Sequence, residues 1–383
     1  MRVNVIGGGP AGLYFALLVK GRWPAHEVAV FERNAPDSTF GWGVVFSGKT
    51  MSNLREADEV SHRRISESFE TWDNVDVVKD DARVTVRGNH FSGIARLRLL
   101  QILQERCAEL GVRLHFRTEV AGVEDVRDAD LVVAADGVNS RVREQLAEHL
   151  RPALATGRNK YIWYGTRQLF HGLTLTFRES EAGLFAAHSY KFDKDTSTFI
   201  VECDEETWAR AGLGEMTDEA TRAYLAGVFE RDLGGQELLS NNSRWINFVL
   251  VRNERWSHRN VVLLGDALHT AHFSIGSGTK LALEDSIALF ECFTKGLGVA
   301  ESLAEFERAR KPVIEAYQQA AHESRVWFEN AKDYTPLAPL PFAFSLMTRS
   351  GKVDYESLRR RDPAFVAAYE ASLQIQRKVT SDK

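Results

Sequence analysis

Apolar residues gather in two kinds of run along this chain, and the contrast predicts two kinds of sheet. Near the start, Arg2–Ile6 is a short apolar run that ends in glycines, as expected of a strand buried on both faces. A glycine turn follows, then helical spacing over residues 11–20, then a second apolar run over 28–31, which together make a βαβ unit. Leu99, Leu100, Leu103 and Leu110 recur at helical spacing across Arg96–Leu110, and Gly111 stands where a C-terminal cap belongs. Residues 112–116, 131–135 and 261–264 are further strand candidates, and 278–293 reads as a helix.

From about residue 161 the texture changes. Residues 161–167, 173–177, 184–190 and 198–203 are short β-type runs separated by polar turns, which predicts an antiparallel sheet. The expected fold class is α/β: a Rossmann-like nucleotide domain with an inserted antiparallel-sheet substrate domain and C-terminal helices. The nucleotide domain is assigned to residues 1–155 and 255–330, the sheet domain to 156–254, and the helical extension to 331–383. No internal repeat or low-complexity segment interrupts this plan.

Charge narrows the function classes. With 48 basic and 53 acidic residues the formal charge is −5, which argues against a nucleic-acid partner. Cys107, Cys203 and Cys292 lie far apart without a CxxC pair, so a zinc site or disulfide framework is not expected and a reducing cytoplasm suits them. The apolar N-terminus holds Gly7, Gly8, Gly9 and Pro10 and reads as a buried strand and turn, not a signal peptide. No uncharged apolar run reaches about 18 residues, so no membrane span is expected.

Three motifs carry the chemistry. Gly7-Gly8-Gly9-Pro10-Ala11-Gly12 satisfies G-x-G-x-x-G between a strand and a helix. Gly7 permits the tight turn, Gly9 lets the backbone approach a pyrophosphate, and Gly12 allows close helix–strand packing, with Pro10 and Ala11 opening the helix. Glu32, with Arg33 beside it, ends the second strand where an acid can accept from ribose hydroxyls. Asp136-Gly137-Val138-Asn139-Ser140-Arg141 and Gly265-Asp266-Ala267-Leu268-His269 each put an acid at the carboxyl end of a parallel strand, where ligands of open α/β sheets bind.

In these motifs the chain resembles the single-component flavoprotein hydroxylases, the para-hydroxybenzoate hydroxylase family. The resemblance implies an FAD-binding domain in which Asp266 bonds the ribityl chain. The Asp136-Gly137 pair lies near the pyrophosphate, and Arg96 lies near the phosphates. It also implies NADH or NADPH as co-substrate and O₂ as oxidant, with oxygen transferred by way of a C4a-hydroperoxyflavin. Gly276, Gly278 and Thr279 fall in the loop whose backbone approaches the flavin, where Phe273 replaces the family's usual proline and Lys280 its asparagine. Gly41-Trp42-Gly43-Val44-Val45-Phe46-Ser47 resembles the segment beside the isoalloxazine ring, with Val45 a contact; a plain strand and turn explain its glycines equally well. His269 and His272 lack a third ligand, so no metal is expected and both are read as loop histidines near the flavin.

Residues 40–47, 157–161, 197–202, 270–281, 324–330 and 361–365 resemble a narrower group, the salicylyl-CoA 5-hydroxylases and 2-aminobenzoyl-CoA monooxygenases. This implies a small aromatic substrate carried as a CoA thioester and hydroxylated para to its hydroxyl or amino group. The tryptophan-type hydroxylase of violacein biosynthesis shares much of the pattern, so a free aromatic or indole substrate stays open, as does a flavin oxidoreductase without hydroxylation. Some relatives continue into a reductase-like barrel; this sequence ends before one, which favours simple hydroxylation. His272 and Phe273 are expected on the substrate side of the loop, and His188 and Tyr190 in the pocket. Arg158 and Lys160 are candidates for CoA phosphates. A monomer or homodimer is expected.

Overall fold

The computed structural model describes residues 1–276 and 278–381, with side chains through residue 375. Five parallel strands lie side by side in the order Arg113–His115, Glu27–Phe31, Arg2–Ile6, Leu131–Ala134, Val261–Leu263, and Ser257–His258 closes the last edge as an antiparallel hairpin. In chain order the parallel strands read 3-2-1-4-5, so the order reverses between Arg2–Ile6 and Leu131–Ala134. A ligand crevice opens at such a reversal, beyond the carboxyl ends of the strands. Helix Pro10–Arg22 lies between Arg96–Leu110 and Gly278–Thr294, and every residue from Pro10 to Val19 is buried. That enclosure explains why the helix is apolar all round instead of striped.

The second sheet has eight strands. Pro152–Thr166, Ser197–Cys203, Gly183–Lys191 and Leu173–Ser180 form its antiparallel centre, as the sequence predicts. It also takes in Val75–Lys79 and Ala82–Val86, and Val75–Lys79 pairs parallel with Leu173–Ser180. A two-stranded hairpin cannot bury its apolar face alone; this one packs Val75, Val77 and Val86 into the cluster that holds Phe177 and Phe342. A small third sheet pairs Phe91–Ala95 with Gly43–Ser47 on one side and Glu70–Trp72 on the other.

Helix Val299–Glu329 ties the molecule together. Leu303, Phe306 and Ile314 enter the core of the parallel sheet, while Trp327 and Phe328 near its far end pack with Phe342 and Leu346 beneath the large sheet. Helices Pro339–Thr348, Tyr355–Arg361 and Pro363–Ser381 complete the C-terminal extension. Among the described residues no helix is long and apolar enough to cross a membrane.

Candidate functional site

The crevice is shaped first by backbone. Gly7 turns the chain at φ +106°, and a Cβ there would stand 2.2 Å from the Ala135 carbonyl oxygen. Gly12 is equally constrained, because its Cβ would lie 2.2 Å from the Gly7 carbonyl oxygen. Gly9 differs: its φ is an ordinary −77° and no protein atom lies within reach of a Cβ. The chain's own packing therefore does not require glycine at position 9, whereas a ligand pressed against the backbone does. Pro10 occupies the first helical position, Ala11 is buried, and no acid stands in the first turn, so the helix offers its N–H groups and positive end to an anion. Glu32 is fixed at the rim: the Gly8 N–H donates to Oε2 at 2.8 Å, and Asn34 donates its backbone N–H and Nδ2 to Oε1 at 2.8 and 2.7 Å. Arg33 beside it is exposed.

Two acid-bearing turns follow the neighbouring parallel strands Leu131–Ala134 and Val261–Leu263, on one side of the strand reversal. Asp136 accepts from the Val142 N–H at 3.3 Å through Oδ2, while its buried Oδ1 has no partner. Gly137 follows at φ +84° with nothing within reach of a Cβ. Gly265 turns at φ +62°, and a Cβ there would press on the Ala11 side chain at 2.9 Å. Asp266 is accessible from the crevice yet has protein around it. Burial pushes its carboxyl up, Arg96 and His269 pull it down, and Asp285 pushes it up again. Water entering the crevice tempers that upward push. Arg96 is half-buried; burial lowers its pKa, and Asp266 and Tyr190 raise it. Its side chain has no hydrogen-bond partner among the described residues. An unpartnered cation, an accessible carboxylate, the orphan Asp136 Oδ1 and glycines open to the crevice fit the diphosphate and polyol of a flavin dinucleotide.

Arg143, Asp285 and Arg310, which local sequence did not single out, hold these turns together with His269. Arg143 donates to the carbonyls of Val138 and Ala267, the latter at 3.1 Å, and so links the two turns. His269 Nε2 donates to Asp285 at 2.6 Å, and Arg310 Nε donates to the other Asp285 oxygen at 2.6 Å. Burial pushes the Asp285 carboxyl up, but His269 and Arg310 outweigh it and hold it below the usual range. Among the described residues no group of three His, Cys, Asp or Glu side chains could hold a metal.

The loop after Asp266 leads to the large sheet. Gly276 has φ +59° and Gly278 opens helix Gly278–Thr294; neither has an atom within reach of a Cβ, and Thr279 is half-buried. Ser277 lies outside the described residues. Lys280 turns aside to donate to Tyr317 Oη at 2.6 Å. His272 is buried, and its Nδ1 accepts from Ser274, so Nε2 carries the hydrogen. Burial, with His188, Arg325 and Arg349 adding to it, lowers the His272 pKa well below its usual value. Arg349, from the C-terminal extension, anchors this loop by donating to the Ser274 carbonyl at 2.7 Å and to Ser324 Oγ at 2.8 Å.

Register places the sheet residues. Tyr161 pairs with Glu202, Trp163 and His188 both pair with Ile200, and Tyr190 pairs with Thr198. Opposed residues share a face, so all seven look the same way. Phe273 lies on that side, its ring centroid 4.7 Å from Tyr161 and 5.3 Å from His188. Tyr190 Oη donates to the Gly43 carbonyl at 2.8 Å, which joins this face to the glycine segment. A Cβ on Gly41 would strike Trp163 and one on Gly43 would strike Phe192, each at 2.6 Å, so packing against the sheet requires both glycines. Val45 is half-buried and alternates with the buried Val44 and Phe46. Arg158 donates to Glu329 and Asn330, and Lys160 donates to Asn247 at 2.7 Å.

Comparison with known proteins agrees with this geometry. The FAD binding domain family matches residues 1–321. The chain is 42% identical over 377 residues to salicyloyl-CoA 5-hydroxylase of a Streptomyces species, covering 96% of this chain and 72% of that one. It is 38% identical to protodeoxyviolaceinate monooxygenase of Chromobacterium violaceum, covering 91% and 94% of the two chains. It is 34% identical to the 3-hydroxy-4-methyl-anthranilyl-[aryl-carrier protein] 5-monooxygenase of Streptosporangium sibiricum, covering 94% and 97%. The fold is like that of 2-methyl-3-hydroxypyridine-5-carboxylic acid oxygenase in its tetrameric form, with a TM-score of 0.69 at 16% identity, covering 94% and 97%.

Proposed function

The chain belongs to the FAD binding domain family and is an FAD-dependent aromatic monooxygenase, and on that footing we propose that it hydroxylates an aryl-CoA thioester, with salicylyl-CoA giving the 5-hydroxy product. The observation that carries the substrate reading is the 42% identity to salicyloyl-CoA 5-hydroxylase along 96% of this chain. The name of a second relative also puts its aromatic group on a large carrier, an aryl carrier protein. A free aromatic or indole-type substrate is the alternative, favoured by the likeness to protodeoxyviolaceinate monooxygenase.

In this reading Gly7, Gly9, Pro10, Ala11 and Gly12 receive the pyrophosphate, and Glu32, with Arg33 beside it, receives the adenosine ribose. Arg96 neutralises the phosphates, Asp136 and Gly137 lie beside the pyrophosphate, and Gly265 and Asp266 hold the ribityl chain. Gly276, Gly278 and Thr279 meet the flavin ring from one side and Val45 from another. When bound, FAD supplies electron transfer from NADH or NADPH and insertion of one oxygen atom from O₂. The protein positions the ring carbon para to the phenol oxygen, where electron density is high, and excludes water from the pocket. His188, Tyr190, His272 and Phe273 form the substrate wall. Arg158 is the stronger CoA-phosphate candidate, since its side chain is 66% exposed despite the contact with Glu329, whereas Lys160 is committed to Asn247 and the Trp208 ring. The enzyme works in the cytoplasm as a monomer or homodimer, where Cys107, Cys203 and Cys292, all buried, stay reduced.

Denaturation should release stoichiometric FAD. NADH or NADPH oxidation should rise when salicylyl-CoA is added, with a product heavier by one oxygen atom. Absence of FAD, or oxidation indifferent to every aromatic thioester tried, would overturn this reading.

A further inference from the structure

On the sheet face most polar groups are satisfied. Tyr190 Oη donates to Gly43 and Trp163 Nε1 donates to Thr198. Glu202 and His188 are exceptions: the Glu202 side chain is 1% exposed and neither carboxylate oxygen accepts a hydrogen bond, and His188 Nε2 has no hydrogen-bond partner. A buried carboxylate without partners is costly, so something must compensate it. His188 Nε2 stands 3.4 Å from Glu202 Oε1, within ion-pair range but without the alignment of a hydrogen bond. The His188 ring lies edge-on to Phe273 of the loop and 4.7 Å from Phe328, so it faces the region between loop and sheet.

We propose that His188 and Glu202 together accept the proton of the substrate's ring hydroxyl. The proposal rests on the hydroxyaryl-thioester reading above. Nδ1 of His188 is the nitrogen left for the substrate, because Nε2 is turned to Glu202. In the step the substrate O–H bond breaks, an N–H bond forms at Nδ1, and the electron pair stays on the phenol oxygen. Electron density then rises at the para carbon, where oxygen is to be inserted, and no oxidant takes part in the transfer. The new imidazolium converts the bare Glu202 carboxylate into an ion pair. His188 is the catalytic residue here and Glu202 the positioning residue that acts through it.

The other ionisable groups facing this pair are already engaged or unsuited. Nδ1 of His272 is bound by Ser274, and burial disfavours its charged form. Arg349 donates to Ser274, Ser324 and Leu346; burial pulls its pKa down to about 10 and Glu202 opposes that, so it stays a cation at neutral pH. Tyr161 has its phenol pushed up to about 12 by burial and by the Asp266 and Glu202 charges. Beyond Glu202, a cavity of about 20 Å³ lined by Asn159, Asp204 and Lys332 has room for one water, and the Asn159 Oδ1 has no partner.

The test compares two thioesters on the FAD-loaded enzyme. Salicylyl-CoA must lose an O–H proton to become a strong ring donor, whereas 2-aminobenzoyl-CoA donates from its nitrogen lone pair with no prior proton loss. His188→Gln should cut product per NAD(P)H on salicylyl-CoA by roughly 100-fold, and Glu202→Gln by roughly tenfold. Any loss that comes from the altered substrate wall should strike both thioesters, and each variant should lose markedly less on the amino substrate than on salicylyl-CoA. Equal loss on the two thioesters, or no loss on either, overturns the proposal. If His188→Gln does not retain FAD, Glu202→Gln carries the same comparison. An independent measurement needs no variant: 5-nitrosalicylyl-CoA bound to the wild-type enzyme should absorb as the phenolate at a pH where the free thioester is still neutral. Absorption as the neutral phenol would overturn the proposal. A wild-type enzyme that turns over neither thioester would overturn the substrate reading on which it rests, whereas a failed variant comparison on an active wild type overturns the proton acceptor alone.

Discussion

The two walls of the cleft are built in different ways. On the nucleotide side, Gly7, Glu32, Arg96, Asp136 and Asp266 each lie within a few residues of a strand end, and the glycines are distinguished by where a Cβ fits and where it does not. Gly7 and Gly12 are required by the chain's own backbone, while Gly9, Gly137, Gly276 and Gly278 have no protein atom within reach of a Cβ. On the sheet side, Tyr161, Glu202 and His188 come from three strands, Phe273 from the loop after Asp266, and Arg349 from the C-terminal extension. Local backbone geometry thus makes the wall proposed for the cofactor, and long-range packing makes the wall proposed for the substrate. A substitution on the first should act on FAD retention, and one on the second on turnover and coupling.

The strongest test of that division is a pair of glycine substitutions. Gly7→Ala places a side chain at positive φ, worth about 1–2 kcal/mol before any clash, and also drives it into the Ala135 carbonyl. It should lower the unfolding temperature and abolish FAD binding together. Gly9→Ala should leave the apoprotein within about 0.5 kcal/mol of wild type and still weaken FAD. Apoprotein unfolding and flavin-fluorescence titration separate the two, and a Gly9→Ala protein with wild-type affinity would remove that glycine from the site. Next in size, Asp266→Ala loses one charge-assisted hydrogen bond to the ribityl chain, roughly 1.5–3 kcal/mol, with little change in apoprotein stability. Unchanged FAD affinity would place Asp266 outside the cofactor site.

On the other wall, Arg349→Met frees the loop by stripping donors from the carbonyls of Ser274 and Leu346. Each orphaned buried group costs about 1–3 kcal/mol. Product per NAD(P)H should fall much more than FAD affinity, and a variant that lost both equally would blur the distinction between the walls. The smallest expected effect is in pH. His272 is neutral in the fold because burial lowers its pKa, whereas the unfolded chain takes a proton near pH 6.5. Its contribution to stability is therefore fully present above about pH 6.5 and lost as pH falls, by at most about 1.4 kcal/mol per unit. Thermal unfolding between neutral and mildly acid pH should show a shallower decline in His272→Asn than in wild type; identical slopes would contradict the assignment.

How much of this was legible in the sequence follows the same division. Arg2–Ile6 and Arg96–Leu110 match the predicted spans at both ends, because a glycine or a change of period marks each boundary. The hairpin Val75–Lys79 and Ala82–Val86 was missed, since its strands are short and its partners lie about a hundred residues away. Helix Val299–Glu329 was not read as one element; Pro312 and many charges interrupt its apolar pattern. Glu202 looked like one more residue of a β-type run, and its lack of partners exists only once three strands are assembled. Arg143 and Arg349 carried no local mark, because the carbonyls they hold belong to turns formed elsewhere in the chain. Arg158 stood out as a basic residue, yet the glutamate that engages it is Glu329, far along the sequence.

The central claim is that remote contacts to a carrier hold a small ring against this second wall, and kcat/KM for salicylyl-CoA against free salicylate tests it most directly. Binding energy far from the reacting carbon is used to position the ring, so removing the carrier should lower kcat as well as raise KM. A clear preference for the thioester is expected, with the 5-hydroxy product formed in step with NAD(P)H consumed. Equal kcat/KM for salicylate and its thioester, or efficient coupled turnover of tryptophan with none of the thioester, would contradict it.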